Sequence, residues 1–168
     1  RVVEARESAE GEQHFAYTSG TLGPALEETF PEVEESVRMM SSWGTGRLTV
    51  QHGETRFYSG EHLWVEPTFF EVFDFKLLRG DPATALNEPF RVVLTEEWAE
   101  IFYGDEDPVG QTLQVEGMED FVVMGVVQDP PANSHLDFSM LFSFATLESF
   151  EGFNRFLSSW EAQMHVKI

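Results

Sequence analysis

Arg91-Val92-Val93-Leu94-Thr95-Glu96-Glu97-Trp98-Ala99-Glu100-Ile101-Phe102-Tyr103-Gly104, followed by Gln111-Thr112-Leu113-Gln114-Val115-Glu116-Gly117 and Phe121-Val122-Val123-Met124-Gly125-Val126-Val127, decides the fold class. Arg91 to Leu94 predicts a short apolar strand. Thr95 is placed to cap a helix whose first turn carries Glu96 and Glu97, where carboxylates meet the positive end of the helix dipole. Trp98, Ile101 and Phe102 recur at spacings of three and four residues, giving that helix one apolar face, and Gly104 ends it. The period then drops to two: Gln111 to Glu116 alternates, Gly117 turns, and Phe121 to Val127 predicts a strand buried on both faces. Asp129-Pro130-Pro131 stops that strand.

Downstream, Phe138 to Phe144 predicts another apolar strand, residues 146–157 a helix with Leu147, Phe150 and Phe153 on one side, and residues 162–168 a closing strand. Upstream, residues 1–10 suggest an exposed strand. Residues 21–29 carry helix signals, with Pro24 in the first turn and Pro31 as a stop. Glu32 to Met40 reads as a strand, although the same residues also admit a helix. The segments 46–52 and 54–65 flank His52-Gly53 as a hairpin. Thr68 and Glu71 have capping-box spacing ahead of Phe69-Phe70, predicting one or two helical turns over 68–73, and Arg79-Gly80-Asp81-Pro82 reads as a turn. There is no internal repeat and no low-complexity linker. The sum is an α+β chain of many short strands without βαβα alternation.

A length of 168 residues fits one domain or two small subdomains sharing a core. The chain is 42% hydrophobic, with 16 Phe and 4 Trp, which supplies ample material to bury. Cysteine is absent, which excludes disulfides, thiolate metal sites and a cysteine nucleophile. Thirty acidic against ten basic residues give a formal charge of −20, which repels phosphate backbones and excludes nucleic acid as a partner. Lysine occurs only at Lys76 and Lys167, and the acids are spread along the chain. This composition suits a halophilic protein from a salt-rich setting and suits an acidic partner-binding surface equally well. No apolar run reaches the roughly 20 residues of a membrane span. The opening Arg1-Val2-Val3 and the closing Met164-His165-Val166-Lys167-Ile168 read as cuts through a longer chain.

Chemical motifs are weak. Asp105, Asp107, Gly110 and Glu116 match a calcium loop at its first, third, sixth and twelfth positions, but Val109 fails the fifth and the flanking periodicity is wrong, so a solvated acidic turn is the better account. His14, His52, His62, His135 and His165 are scattered, with no two histidines at metal-ligand spacing, and a strand would place His135 and Asp137 on the same side. With thirty acids, carboxylate pairs match by chance. No nucleophile elbow, phosphate loop or dinucleotide motif is present; Gly44 and Gly46 form a lone pair in a turn. The expectation is therefore no catalytic, cofactor-binding or metal residues. Two features stand nearer to a binding role, although packing and plain connection explain each more simply. One is the aromatic cluster Phe69, Phe70, Phe73 and Phe75, with Trp43, Trp64 and Trp160 as extensions, and the other is the loop Pro130 to His135.

Four strings taken together carry a resemblance: Val65-Glu66-Pro67-Thr68-Phe69-Phe70-Glu71-Val72-Phe73-Asp74-Phe75-Lys76-Leu77-Leu78-Arg79-Gly80-Asp81-Pro82, Val92-Val93-Leu94-Thr95-Glu96, Phe102-Tyr103-Gly104-Asp105-Glu106-Asp107-Pro108-Val109-Gly110, and Val126-Val127-Gln128-Asp129-Pro130-Pro131-Ala132-Asn133-Ser134-His135. The chain resembles the extracytoplasmic core domain of MacB-type, FtsX-like ABC transporter permeases over residues 30–145. The resemblance implies a split βαβ porter-like subdomain with an inserted β-rich sabre-like subdomain. Residues 1–50 would be the first porter half, 51–160 the sabre and 161–168 the start of the return strand, with the second porter half absent. It further implies a non-enzymatic, cofactor-free periplasmic domain of an inner-membrane protein, tethered between two membrane helices. A nucleotide-binding subunit or domain would drive it, a periplasmic adaptor or cargo protein would receive the motion, and the full transporter would be dimeric. Gly80, Gly104 and Gly110 would supply turns, Pro67 and Pro130 element boundaries, and Phe70 and Phe73 core plugs. A hydrophobic span is expected before Arg1 and three more after the chain. The rival expectation is a secreted or surface ligand-binding module with an acidic face, and a third class is a carboxylate hydrolase.

Overall fold

The structure, a computed structural model, describes residues 4–8, 11–15, 17–41, 46–151 and 161–167. Strands β1 (Glu4–Ser8) and β2 (Gly11–Phe15) form a separate antiparallel hairpin. The remaining strands are β3 (Tyr17–Ser19), β4 (Glu35–Ser41), β5 (Thr49–His52), β6 (Thr55–Tyr58), β7 (His62–Val65), β8 (Leu77–Gly80), β9 (Arg91–Thr95), β10 (Thr112–Val115), β11 (Phe121–Val127), β12 (Met140–Ser143) and β13 (Glu161–Lys167). They make one mixed 11-stranded sheet in the order β3-β13-β4-β7-β12-β9-β11-β10-β5-β6, with β8 paired to β11 off that path. Pairing is antiparallel except for β9 with β11 and β7 with β12. The helices are α1 (Leu22–Thr29), α2 (Phe69–Val72), α3 (Glu96–Tyr103) and α4 (Phe144–Glu148). The α+β class stands, as an open, mostly antiparallel sheet with helices.

The two-residue period of a strand sends alternate side chains to opposite faces, and the central strands exploit both. Met40, Trp64, Val92, Leu94, Met140 and Phe142 enter one core, which Trp98, Ala99, Phe102 and Tyr103 of α3 and Phe144 and Leu147 of α4 complete, while Ile101 of the expected apolar face is left exposed. Val37, Met39, Leu63, Val65, Val93 and Leu141 enter a second core on the other face, closed by Phe69 of α2 with Leu86 and Phe138. In β11 the parity changes partway along. Phe121 and Val123 enter the first core, yet so does Val126, because the register with β9 shifts between Val123 and Gly125. A β-bulge inserts one residue and so exchanges the faces downstream.

Several local expectations are corrected. Residues 35–41 are strand, which removes the helical alternative. Thr68 does not cap α2: its hydroxyl donates to the Ser36 carbonyl at 2.7 Å and ties the helix to β4. Thr95 also lacks a side-chain cap bond; the Glu97 amide at the start of α3 instead donates to Asp129 Oδ1 at 3.2 Å. Gly80 ends strand β8 opposite Gly125. Val122 is 40% exposed, so β11 is not buried on both faces along its whole length. The helix expected at 146–157 starts two residues earlier as α4 and leaves Phe150 exposed; residues 152–157 lie outside the described residues. The buried plug is Phe69, whereas Phe70 and Phe73 are half-buried against the second core, because a helix of one turn points only one side inward.

Candidate docking cleft

The two segments singled out for binding meet in space. α2 ends at Val72, the chain turns extended at Phe73, and Phe73-Asp74-Phe75-Lys76 runs beside the loop that follows β11. The Gln128 amide donates to the Lys76 carbonyl at 3.0 Å, joining the two walls. Between them lies a cleft of about 380 Å³ lined by Phe73, Asp74, Phe75, Lys76, Gln128, Asp129, Pro131, Ser134, His135 and Leu136. That volume falls in the range of small-ligand and side-chain sites.

The floor is held by aromatic packing. The Phe69 ring is stacked on Phe75 at 5.7 Å between centroids and sits 5.0 Å from Phe73, and Phe75 meets Phe138 edge-on at 5.0 Å. The loop wall is shaped by Ser134, whose amide donates to the Pro131 carbonyl at 2.7 Å and whose hydroxyl accepts from the Leu136 amide at 3.1 Å. The His135 ring lies 6.5 Å from that of Phe73. An apolar floor with a rim bearing Asp74, Lys76, Asp129 and His135 can seat an apolar group with a polar neighbour.

The other sequence candidates are dispersed. Trp64 is fully buried in the first core, away from this cleft, and Trp43 and Trp160 lie outside the described residues. His135 lines this cleft but Asp137 lines a second depression, since the segment 128–139 is not a strand. In the stretch weighed as a calcium loop, Asp107 Oδ1 accepts from the Val109 amide at 3.2 Å and pairs with Arg79 at 3.4 Å, while Glu116 pairs with Arg56 at 2.9 Å. No group of three His, Asp or Glu among the described residues is arranged to hold a metal ion. The His52 ring lies tilted against that of Tyr103, 4.2 Å between ring centroids. His14 and His165 are in strands β2 and β13.

Two buried polar arrangements belong to no sequence motif. His62 is fully buried, shares a 3.0 Å hydrogen bond with Ser59 through Nδ1, and is held below its ordinary pKa by burial. Arg38, in the apolar strand β4, donates from Nε and Nη2 to Glu66 Oε1 at 2.8 and 2.5 Å, while its amide donates to Glu66 Oε2 at 2.6 Å. The only sequence signal for the latter was a lone cation inside Val37-Arg38-Met39-Met40.

Comparison with known proteins places this geometry. The family described as MacB-like periplasmic core domain matches residues 2–168. No curated protein matches the chain. Among solved structures, a domain assigned to a permease protein of Porphyromonas gingivalis aligns with TM-score 0.77 at 22% identity, covering 99% of this chain and 73% of that one. The periplasmic region of MacB from Actinobacillus actinomycetemcomitans aligns with TM-score 0.65 at 19% identity, covering 88% of this chain and 63% of that one. The extracellular domain of the ABC-type transporter YknZ from Gram-positive bacteria aligns with TM-score 0.65 at 16% identity, covering 90% and 73%. Among the described residues no helix is long and apolar enough to cross a membrane.

Proposed function

The chain belongs to the MacB-like periplasmic core domain family, the non-catalytic extracytoplasmic part of FtsX-like ABC transporter permeases, and from that premise we propose that it is a rigid coupler. It carries the motion driven by a cytoplasmic nucleotide-binding component across the inner membrane to periplasmic cargo or an adaptor protein. The observation that carries this reading is the sheet itself: ten strands joined edge to edge from β3 to β6 with a core on each face. Close-packed layers of this kind transmit displacement with little internal deformation. The docking cleft supplies a place where moved cargo or adaptor can be gripped.

The subdomain division is part of the same proposal. Residues 1–50 with the closing strand 161–168 form the porter-like part, and residues 51–160 the inserted sabre-like part. In support, β3, β13 and β4 are neighbours at one end of the sheet. Strand β5 crosses the border between residues 50 and 51.

Since the chain has no cysteine, labels are placed cleanly. In the intact dimeric permease, with cysteines elsewhere replaced, spin labels at Glu28→Cys and Glu119→Cys report distances within and between copies. Nucleotide trapping is expected to move the distance between copies while leaving the distance within one copy unchanged. No nucleotide-dependent change between copies would overturn the coupling role.

A further inference from the structure

The described sheet ends at β6, which has one hydrogen-bonded neighbour, β5. The register pairs His52 with Thr55 and Val50 with Phe57, and the Ser59 amide donates to the Leu48 carbonyl at 2.7 Å. In an antiparallel ladder, alternate residues turn their backbone groups toward and away from the partner. Leu48/Ser59, Val50/Phe57 and His52/Thr55 are the inward-bonded set, so the amides and carbonyls of Arg56 and Tyr58 point outward from the edge.

An exposed edge is a template for another strand, and proteins usually blunt it with lysine, proline or a bulge. Thr55-Arg56-Phe57-Tyr58 has none of these. Instead it displays two large rings, Phe57 47% and Tyr58 68% exposed, on opposite faces of the strand. Phe57 lies edge-on to Trp98 and Phe102 of α3, each 6.1 Å between centroids, so its ring is held in place while still presenting surface. The one cation of the strand, Arg56, is engaged by Glu116 at 2.9 Å.

Charge identifies the occupant. Glu54 and Glu61 flank the strand in sequence. Two residues past its end opens a depression of about 240 Å³ whose lining includes Glu61, Glu97, Asp129 and Asp137 beside the Trp98 ring. Among the described residues no Lys or Arg lines it. A second copy of a chain carrying −20 would meet strong repulsion at this edge in dilute salt. A basic segment would be attracted to it, and an arginine or lysine side chain placed against Trp98 among carboxylates gains both ion pairing and cation–π contact.

We infer that β6 accepts an extended, basic segment of a partner protein as an added strand. Backbone bonds to Arg56 and Tyr58 give affinity, Phe57 and Tyr58 pack against its side chains, and the carboxylate-lined depression takes a cationic side chain. The depression shares Asp129 with the rim of the docking cleft, whereas the strand edge itself contributes nothing to that cleft, and the inference does not depend on the coupling role.

The test is amide hydrogen exchange and calorimetry on the 168-residue chain with the peptide Arg-Val-Arg-Val-Arg-Val. Saturable protection confined to residues 54–61 is expected, with affinity falling as salt rises. Methylating alternate peptide nitrogens is expected to weaken binding roughly tenfold or more, because the added strand loses its donors. Tyr58→Pro removes an outward amide while sparing the ladder to β5, and is expected to do the same. Should that variant unfold, Glu97→Gln with Asp137→Asn serves instead, with weaker binding and a shallower salt dependence expected. Equal binding of the methylated peptide, protection spread over the whole acidic surface, or concentration-dependent self-pairing that protects 54–61 without peptide would each overturn the inference.

Discussion

Arg38 and Glu66 are locked together by three hydrogen bonds between β4 and the residue following β7, with side chains only 13% and 18% exposed. Burial works against the Arg38 charge, but Glu66, and Glu148 at 3.3 Å, outweigh it and hold its pKa above the ordinary arginine value. The guanidinium also lies 4.9 Å over the Phe144 ring, so the pair touches α4 as well. One ion pair thus links the strands at the β4–β7 junction to a helix of the first core.

Removing one partner strands the other charge in a poorly hydrated place. Arg38→Gln is expected to cost about 2–4 kcal/mol in urea denaturation. The double variant Arg38→Met with Glu66→Gln, which removes both charges and keeps a side-chain acceptor for the residue-38 amide, is expected to recover most of that. A loss below about 0.5 kcal/mol for the single change would show the pair to be solvent-screened.

Gly80 and Gly125 face each other where β8 meets β11. At Gly80, with φ +91°, a β-carbon would overlap the Met124 carbonyl oxygen and lie 2.9 Å from Gly125 Cα. At Gly125 it would lie 2.8 Å from the Arg79 carbonyl oxygen. Either alanine variant is expected to lose about 3 kcal/mol or more, since backbone has to move. Gly104→Ala, with φ +57° and ψ −125° but open space around it, is expected to lose about 1–3 kcal/mol through backbone strain alone, without displacing a neighbouring strand. Equal losses at all three would remove the close-approach argument.

Acid is expected to weaken the fold in two steps. His62 is held neutral by burial, below its ordinary 6.5, so its contribution is complete above 6.5 and declines as pH falls below it. Glu116, held below its ordinary 4.5 by Thr49 and then by Arg56, contributes above 4.5 and loses that contribution as pH falls further. His62→Gln is expected to flatten the first step and leave the second. Conversely, burial pushes Tyr103 up to about 12, so its contribution is complete below 10 and disappears as pH rises toward 12. Its hydroxyl donates to the Thr112 carbonyl at 3.1 Å, and Tyr103→Phe is expected to abolish the alkaline step in a pH series of melting temperatures.

A charge of −20 spread over the surface repels itself. If that acidity is an adaptation to salt, the melting temperature rises from dilute buffer to molar salt as screening takes hold. A flat or falling curve would assign the acids to partner recognition.

Much of the secondary structure was written in the sequence. Periodicity placed β9, α3, β10 and β11, because a strand or helix that must bury one face repeats its apolar residues at its own period. Composition and the absence of cysteine narrowed the chemistry, and strings such as Phe69-Phe70-Glu71-Val72-Phe73 carried the family. What tertiary structure alone decided is how distant segments meet: the cleft between residues 73–76 and 128–136, the Arg38–Glu66 pair 28 residues apart, the partner that Thr68 chose over a helix cap, and the bulge at Gly125 that exchanges the faces of β11. Local spacing encodes which side of an element is apolar. It carries no information about which other element covers that side, and that choice is settled only when the whole sheet packs.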